Sequence, residues 1–378
     1  MIWALMTWAF WGAVVLIGYA YAGYPAWLWM RGRLHPRPVQ PAPIEPFVSM
    51  VMVVRDEEKV LEGKLDNLLS LDYPEAKSEI VVVSDGSSDR TDAILHRYAQ
   101  SPKVHAVLNQ LSRGKASGLN DALNVAHGEV VVFTDARQSI EASALRTLVS
   151  NFADPEVGCV SGELMLGDPG TREKTKGAGL YWRIEKTVRE LESKSGSVVG
   201  ATGAFYGVRR ELLNPIPSET LLDDVYIPMQ VVRAGKRVVF EPQSRAWDIA
   251  DQGTDREFAR KVRTLSGNYQ LLQLQPWLLS GENPIRFEFV SHKLLRLIVP
   301  FALLLALLSC ALIPAPLYRA LFVLQLVFYV LSLLGMARIK MGPAARAADA
   351  AFTFVVLNTA AIVAFANFVT GRKVAWTR

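Results

Sequence analysis

Residues 81–91 read VVVSDGSSDRT, a β-branched apolar run that stops abruptly in a carboxylate, a glycine and two serines. This pattern predicts a buried strand whose carboxyl end opens into a polar loop, followed by a helix that Ser88 or Asp89 can cap. Ligands of open α/β sheets bind outside the carboxyl ends of the strands. Asp85 and Gly86 are therefore predicted to lie at a ligand site.

Similar strand–helix units surround this stretch. Strands are predicted at Phe47–Val54, Glu79–Ser84, Lys103–Leu108 and Glu129–Thr134. Helical spacing of apolar residues fills the intervening stretches, and this alternation predicts an α/β fold with a mostly parallel sheet. A strand is also predicted at 157–166, an amphipathic helix at 176–193 and a last strand at 236–241.

Charged side chains recur where the predicted strands end. They are Arg55, Asp56, Glu57, Asp85, Asp135 and Arg137. Lys115 follows in the basic loop that opens the third helix, where a helix N-terminus favours anions. Polar residues are ordinary in any single loop, but four such loops in succession indicate a shared binding site at one rim of the sheet.

Two later stretches have features of a site. The small residues at 200–207, GATGAFYG, indicate close backbone approach to a ligand or to another strand. Asp223 and Asp224 lead an apolar helix, where helix capping by Asp223 is the alternative to a chemical role. The two cysteines lie far apart and lack metal-ligand spacing, which excludes a zinc site of the usual kind.

The apolar residues are concentrated at the two ends of this 378-residue chain, which is 51% hydrophobic. Residues 2–30 predict one N-terminal transmembrane anchor; a signal peptide is the alternative, but no basic segment precedes the apolar run. Segments of near-spanning length follow at Leu297–Ile313, Leu317–Ala337 and Ala350–Val369. A basic amphipathic helix at 255–277 either lies in the membrane interface or packs on the globular domain.

Positive charge places the chain relative to the membrane. The formal net charge is +5, with arginines beside the apolar segments, which favours a lipid bilayer over nucleic acid as a partner. The basic stretch 31–37 is predicted to be cytoplasmic, whereas the basic tail would fall outside, against the positive-inside rule. The predicted domains are an anchor at 1–30, a Pro-rich basic linker at 31–46, an α/β domain at 47–250, amphipathic interfacial helices at 251–295, transmembrane helices at 296–370 and a tail at 371–378.

Residues 47–279 resemble the membrane-embedded branch of the family 2 glycosyltransferases, which includes the hyaluronan, cellulose and poly-N-acetylglucosamine synthases. The similarity lies in the order of the motifs. Residues 53–58 resemble the opening uridine-binding motif, residues 83–89 the second such motif, and 113–115 the diphosphate loop. Residues 135–137 stand at the DxD position, 223–224 at the Glu/Asp-Asp pair, and 260–264 at the QxxRW position.

The resemblance implies a GT-A-like, Rossmann-type nucleotide-sugar domain in a multi-pass protein of the bacterial inner membrane, with the catalytic domain in the cytoplasm. It implies inverting transfer from a UDP-sugar to a polysaccharide or lipid-linked acceptor. Asp224 would be the base, with Asp223 as its neighbour, and Arg263 would stabilise the leaving diphosphate. The implied nucleotide-sugar contacts are Arg55, Asp56, Glu57, Asp85, Gly86, Lys115, Asp135, Arg137 and Arg260. The implied acceptor floor is Gly203, Ala204 and Phe205.

Two departures from the family pattern bear on mechanism. Arg137 replaces the second carboxylate of DxD, so a guanidinium is an alternative to a divalent cation (Mg or Mn) at the diphosphate, and Asp135 is left as the one metal or ribose ligand. QxxRW keeps only its arginine, Arg263, which argues against long-chain synthesis. The alternatives are transfer of a single sugar to a membrane lipid, or a catalytically inactive scaffold that binds a nucleotide sugar. Few helices make a narrow channel, so an oligomer or an export partner is a further expectation.

Overall fold

The computed structural model describes residues 1–168, 173–174, 180–248, 254–337 and 344–372. The strands are β1 (Val48–Val54), β2 (Ser78–Asp85), β3 (Val104–Asn109), β4 (Val130–Thr134), β5 (Ser139–Ile140), β6 (Val157–Asp168), β7 (Glu173–Lys174), β8 (Phe205–Arg209) and β9 (Arg237–Asp248). The helices of the globular part are α3 (Leu61–Leu69), α4 (Thr91–Tyr98), α5 (Lys115–Val125), α6 (Ala144–Ser150), α7 (Leu180–Ser195) and α8 (Asp223–Arg233). The remaining helices are α1 (Ile2–Gly18), α2 (Tyr24–Leu34), α9 (Thr254–Leu274), α10 (Arg286–Phe289), α11 (Leu295–Leu312), α12 (Pro316–Met336) and α13 (Ala345–Val369).

The sheet has the strand order β3-β2-β1-β4-β8-β6-β9-β5, with β7 paired to β6. Strands β1 to β4 are parallel, as are β6 and β9. Strand β8 is antiparallel to both of its neighbours, and β5 and β7 also run antiparallel to their partners. The predicted α/β fold is confirmed, but the sheet is mixed, because β8 enters its centre in the opposite direction.

Both faces of the sheet are covered, which explains the continuous apolar runs of its strands. Val51 and Val53 pack toward α5 and α8, whereas Met50 and Met52 pack toward α3 and α6. Helix α5 lies close to β1, since a Cβ at Gly118 would be 2.7 Å from Val53 Cγ1. This close packing brings the N-terminus of α5 to the carboxyl ends of the parallel strands.

The small-residue stretch at 200–207 contributes a central strand. Phe205 and Tyr206 in β8 are fully buried, and Tyr206 stacks on Phe133 of β4. A Cβ at Gly207 would lie 2.6 Å from Leu148 Cδ2, so this glycine lets α6 approach the sheet. Close approach to another strand, one of the two predicted reasons for the small residues, therefore accounts for this part of the stretch.

Among the described residues, four helices are long and apolar enough to cross a membrane: Ile2–Leu34, Arg286–Leu312, Pro316–Met336 and Ala345–Val369. The first continues past the predicted anchor boundary at residue 30. The second begins at Arg286, within the segment predicted to be interfacial. Residues 373–378 of the predicted tail lie outside the described residues.

The amphipathic helix α9 joins the two parts of the molecule. Its Tyr269 stacks on Phe368 of α13, with ring centroids 5.1 Å apart. Gln270 accepts a hydrogen bond from the Leu221 backbone at 2.9 Å, just before α8. Helix α9 therefore packs on the globular domain and on an apolar helix, whereas its placement in the membrane interface stays a prediction.

A buried polar cluster forms a second junction between α7 and the apolar helices. We call it the junction cluster: Tyr24, Glu185, Glu192, His292 and Arg296. The two ring nitrogens of His292 lie 2.8 Å from Glu192 Oε1 and 3.0 Å from Glu185 Oε1. Tyr24 donates to Glu192 Oε1 at 2.6 Å, and Arg296 donates to Glu185. Buried charges of this kind are stable only when paired, so the cluster fixes α7 against both N-terminal and C-terminal helices.

Candidate active site

Three segments bring charged side chains together at the carboxyl edge of the parallel strands. Lys115 opens α5, Asp135 follows β4 and Asp223 opens α8. The Lys115 ammonium nitrogen lies 3.0 Å from Asp135 Oδ1 and 3.2 Å from Asp223 Oδ2. Burial alone would lower the pKa of Lys115, but the two carboxylates outweigh it and hold the pKa above its usual value. The group is therefore a fixed cation between two predicted site residues.

Asp224 lies beside this cluster, and its surroundings change the pKa of its carboxyl group. Burial, and then the negative charge of Asp223, raise its pKa to about 6. A Cβ at Gly203 would be 3.1 Å from Asp224 Oδ2, so the glycine leaves the space beside this carboxylate open. A carboxylate that titrates near neutral pH is suited to accept a proton from a hydroxyl group.

Asp223→Asn is expected to shift the acid limb of the pH–rate profile to lower pH. The negative charge of Asp223 raises the pKa of Asp224, so its removal lowers that pKa and leaves Asp224 ionised at lower pH. The profile of kcat/KM against pH for the variant and the wild type measures the shift. An acid limb that stays in place would contradict this electrostatic coupling.

Asp85 holds the loop that leads to Lys115. Its carboxylate is fully buried and accepts hydrogen bonds from Ser112 Oγ at 2.7 Å, Arg113 N at 2.8 Å and Gly114 N at 2.9 Å. The sequence predicted a contact with the nucleotide, whereas these three bonds go to the protein's own loop. Gly86 has a φ of +68°, and a Cβ there would lie 2.5 Å from Ser112 N. Asp85 and Gly86 thus fit the 112–114 loop closely against the end of β2.

Asp85→Asn is expected to lower both stability and activity. The amide would turn an N–H group toward at least one of the three donors, and a buried unsatisfied group costs about 1–3 kcal/mol. The loop would shift, and Lys115 would shift with it. Thermal unfolding together with kcat/KM would check this expectation; wild-type values for both would show that the loop does not depend on Asp85.

The loops after β1 and β2 are hydrogen-bonded to one another. Asp56 accepts from Ser88 Oγ at 2.9 Å and has a φ of +51°, the one positive value at a non-glycine residue in the described chain. Arg55 Nη1 donates to Ser112 Oγ at 3.1 Å. Arg55 and Asp56 therefore border the same edge as Asp85, although in this structure their described contacts are with protein groups.

Residues 49–216 match the family model for Glycosyl transferase family 2. This part of the chain is similar to that family. A poly-beta-1,6-N-acetyl-D-glucosamine synthase from Staphylococcus epidermidis is 24% identical over 239 residues, 61% of this chain and 56% of the synthase. The synthase of the same name from Staphylococcus aureus strain COL is 24% identical over 234 residues, 60% of this chain and 55% of the relative. The chain thus matches about half the length of these curated relatives.

The fold also matches a solved structure along almost the whole chain. The mannosyltransferase PcManGT from Pyrobaculum calidifontis, solved in complex with GDP-Man and Mn2+, has a TM-score of 0.73 and 24% identity. The match covers 96% of this chain and 99% of that one. The GT-A-like domain and its apolar helices therefore form an arrangement that a solved protein shares.

The DxD position, residues 135–137, contains one carboxylate that could hold a cation. Asp135 is present, and Arg137 is exposed and close to Glu57; burial raises the pKa of Glu57, which the Arg137 charge partly offsets. Within the described residues, no three His, Cys, Asp or Glu side chains are grouped to hold a metal ion. Mg²⁺ is commonly held by one or two carboxylates together with substrate phosphates. Asp135 fits such a shared cation, and the described residues do not form a metal cage of their own.

Several predicted site residues lie farther from the Lys115 cluster. Gly203 touches Asp224, but Ala204 and Phe205 are buried, so their side chains do not line an open pocket. Arg260 and Arg263 lie on α9 before Gly267, where a Cβ would be 2.5 Å from Leu222 Cγ. Since Arg263 is one turn before Gly267, it shares the face that meets the start of α8.

One buried lysine close to this site was not predicted. Lys64 in α3 is only 3% exposed and donates to Thr134 Oγ1 and to the Gln138 carbonyl, on either side of Asp135. The spacing of residues in the sequence does indicate that Lys64 is buried. Lys64 falls between Leu61, Leu65 and Leu68, at the spacing of the buried face of a helix.

Proposed function

We propose that the protein is an inner-membrane inverting glycosyltransferase. It transfers a sugar from a UDP-sugar to a polysaccharide or lipid-linked acceptor at the cytoplasmic face. The observation that supports this most directly is the joining of Lys115, Asp135 and Asp223 by ion pairs, with the titratable Asp224 next to them. A cation and a proton acceptor side by side are what displacement of a nucleoside diphosphate requires.

The chemistry divides between the two ends of this arrangement. The donor diphosphate binds near the N-terminus of α5, where Lys115 and Arg137 offset the charge that develops as it leaves. A divalent cation held by Asp135 would further neutralise the charge of the leaving diphosphate. Asp224 removes the proton of the acceptor hydroxyl, which attacks the anomeric carbon from the opposite side. A single displacement without a covalent intermediate inverts the configuration at that carbon.

The basic residues support a cytoplasmic site. Arg31 and Arg33 lie in the last turn of α2, and Lys293 and Arg296 lie near the start of the second apolar helix. The junction cluster holds these two ends together beside α7, so the charges are on one side of the bilayer. The positive-inside rule assigns that side to the cytoplasm, where nucleotide sugars are available to a bacterial enzyme.

Two observations bear on the acceptor class, and they favour different products. The similarity to poly-beta-1,6-N-acetyl-D-glucosamine synthases favours a polysaccharide acceptor. The missing tryptophan of QxxRW, where Thr264 stands, favours transfer of a single sugar to a membrane lipid. Product length on a gel or by mass spectrometry distinguishes the two.

The test is nucleotide release by the detergent-purified full chain with a panel of UDP-sugars, and with GDP-mannose as a comparison donor. Release of UDP from one UDP-sugar is the expected result, and an Asp66→Asn variant, altered at an exposed carboxylate of α3, should behave as the wild type. Release from GDP-mannose alone would overturn the choice of nucleotide. Binding of UDP without any turnover, with lipid extract supplied as acceptor, would favour the inactive scaffold.

Removal of divalent cations is expected to lower turnover without abolishing UDP binding. Asp135 provides one carboxylate for the cation, while Lys115 and Arg137 still attract the diphosphate. Turnover and UDP affinity are measured before and after EDTA, then after Mg²⁺ or Mn²⁺ is restored. Full activity in EDTA would show that the guanidinium and ammonium groups alone neutralise the leaving group.

A further inference from the structure

The turn that carries Asp135 and Arg137 is held by a buried lysine on a different element. Lys64 Nζ lies 2.9 Å from Thr134 Oγ1 and 2.7 Å from the Gln138 carbonyl oxygen. These two acceptors are the first and last residues of the turn 134–138. One amine therefore bridges at both ends the turn that carries Asp135, which contacts Lys115, and the exposed Arg137.

The same helix fixes the chain that follows. Asn67, one turn after Lys64 on α3, donates to the Ile140 carbonyl at 2.8 Å and accepts from Ile140 N at 2.7 Å. Thr134 Oγ1 donates to the Ala204 carbonyl at 2.8 Å, beside Gly203 and Asp224. The contacts of Lys64 thus extend from the DxD position to the backbone next to the proposed base.

The surroundings of Lys64 suit a neutral amine. In the described part of the chain no carboxylate lies within ion-pair distance of Nζ, and the two acceptors match the two N–H groups of a neutral amine. Burial lowers the pKa of Lys64 to about 7, although the charge of Asp135 opposes this. At neutral pH the amine therefore binds more protons in the unfolded chain than in the native one, so a lysine here reduces stability.

An apolar residue would serve packing better at this position. Leu61, Leu65 and Leu68 on the same helix are fully buried, and methionine has nearly the length and volume of lysine without its desolvation cost. Lysine therefore differs from methionine here chiefly in the two hydrogen bonds that it donates to the turn.

We propose that Lys64 is a positioning residue for the nucleotide-sugar donor, and that its amine holds the turn 134–138 so that Asp135 and Arg137 face the diphosphate. This inference rests on the proposed function, because it concerns the same donor site. It adds a residue behind the site that does not itself touch the substrate.

Lys64→Met in the full chain separates this role from a structural one. We expect the Kd for UDP with Mg²⁺ and the KM for the donor each to rise about tenfold, since a displaced turn misplaces both charged side chains. The melting temperature should equal or exceed that of the wild type. Lys103→Met, at the opposite end of the parallel strands, is the matched control and should leave all three values unchanged.

Thr134→Val removes the same hydrogen bond from the other side. We expect it also to weaken donor binding. The Lys64→Met/Thr134→Val double variant should lose no more donor affinity than the single variant with the larger loss. An unchanged donor Kd and KM in Lys64→Met would overturn the inference, as would a loss of stability in parallel with a loss of binding. If Lys64→Met does not fold, Thr134→Val alone is the test: unchanged donor binding in Thr134→Val overturns the inference.

The two proposals fail in distinguishable ways. Wild-type protein that binds no nucleotide would overturn the proposed function and this inference with it. Wild-type protein that binds UDP and transfers sugar, while Lys64→Met does so equally well, would overturn the inference alone.

Discussion

Asp224→Asn is expected to abolish sugar transfer while UDP binding persists. The amide has the shape of the carboxylate but cannot accept the acceptor's proton, and loss of a general base costs about 10³-fold in rate. Gly203 leaves room beside Asp224 Oδ2, so the substitution adds no steric conflict. Initial rates with the donor identified in the UDP-sugar panel, together with the Kd for UDP, measure the two effects separately.

The comparison needs a variant that changes a carboxylate elsewhere. Asp66→Asn on the exposed face of α3 serves this purpose, since Asp66 contacts Tyr98 far from the site. Full transfer activity in Asp224→Asn would show that another group accepts the proton. Loss of UDP binding along with transfer would instead indicate that Asp224 is needed to assemble the donor site.

Lys115→Met is expected to reduce kcat/KM for the donor by about 10²–10³-fold, in the range measured when one preorganised group is removed from a developing charge. The variant loses the cation nearest the diphosphate site and also leaves Asp135 and Asp223 facing each other without the charge between them. The remaining carboxylates repel the donor's phosphates. Donor KM should therefore rise together with a fall in kcat.

Two matched variants show whether charge or shape is responsible. Lys115→Arg keeps the charge and should retain more activity than Lys115→Met, although a planar guanidinium replaces a compact ammonium. Lys103→Met removes a lysine at the opposite edge of the sheet and should have wild-type kinetics. Equal activity in Lys115→Met and the wild type would remove Lys115 from the mechanism.

The parallel part of the fold could be predicted from sequence because its signals are local. Each of β1 to β4 is a buried apolar run that ends in charged residues, and the structure places each within two residues of its predicted bounds. The direction and position of β8 depend on partners 45 to 79 residues away in the chain, such as Phe133 opposite Tyr206. A glycine-rich stretch does not reveal that pairing by itself, which is why the mixed sheet was not foreseen.

The same contrast between local signals and contacts of distant residues applies to the candidate site. Lys115, Asp135 and Asp223 come together as their places at strand ends and helix starts suggested. The bonding of Asp85 to the loop at 112–114 depends on how closely two loops approach at Gly86, and that distance has no signature in the residue types. The roles of Arg260 and Arg263 on α9 remain predictions, since helix packing rather than sequence order decides where they lie.

The junction cluster has a consequence for the substrates. Arg189 on α7 donates to Thr202, so hydrogen bonds run from the apolar helices through His292, Glu185 and Arg189 to Thr202, next to Gly203, which lies beside Asp224. Under the proposed function, these contacts hold the reaction centre at one height above the lipid headgroups. We expect selectivity for acceptor length: an acceptor anchored in the bilayer is glycosylated only when the spacer between its anchor and its hydroxyl matches that height.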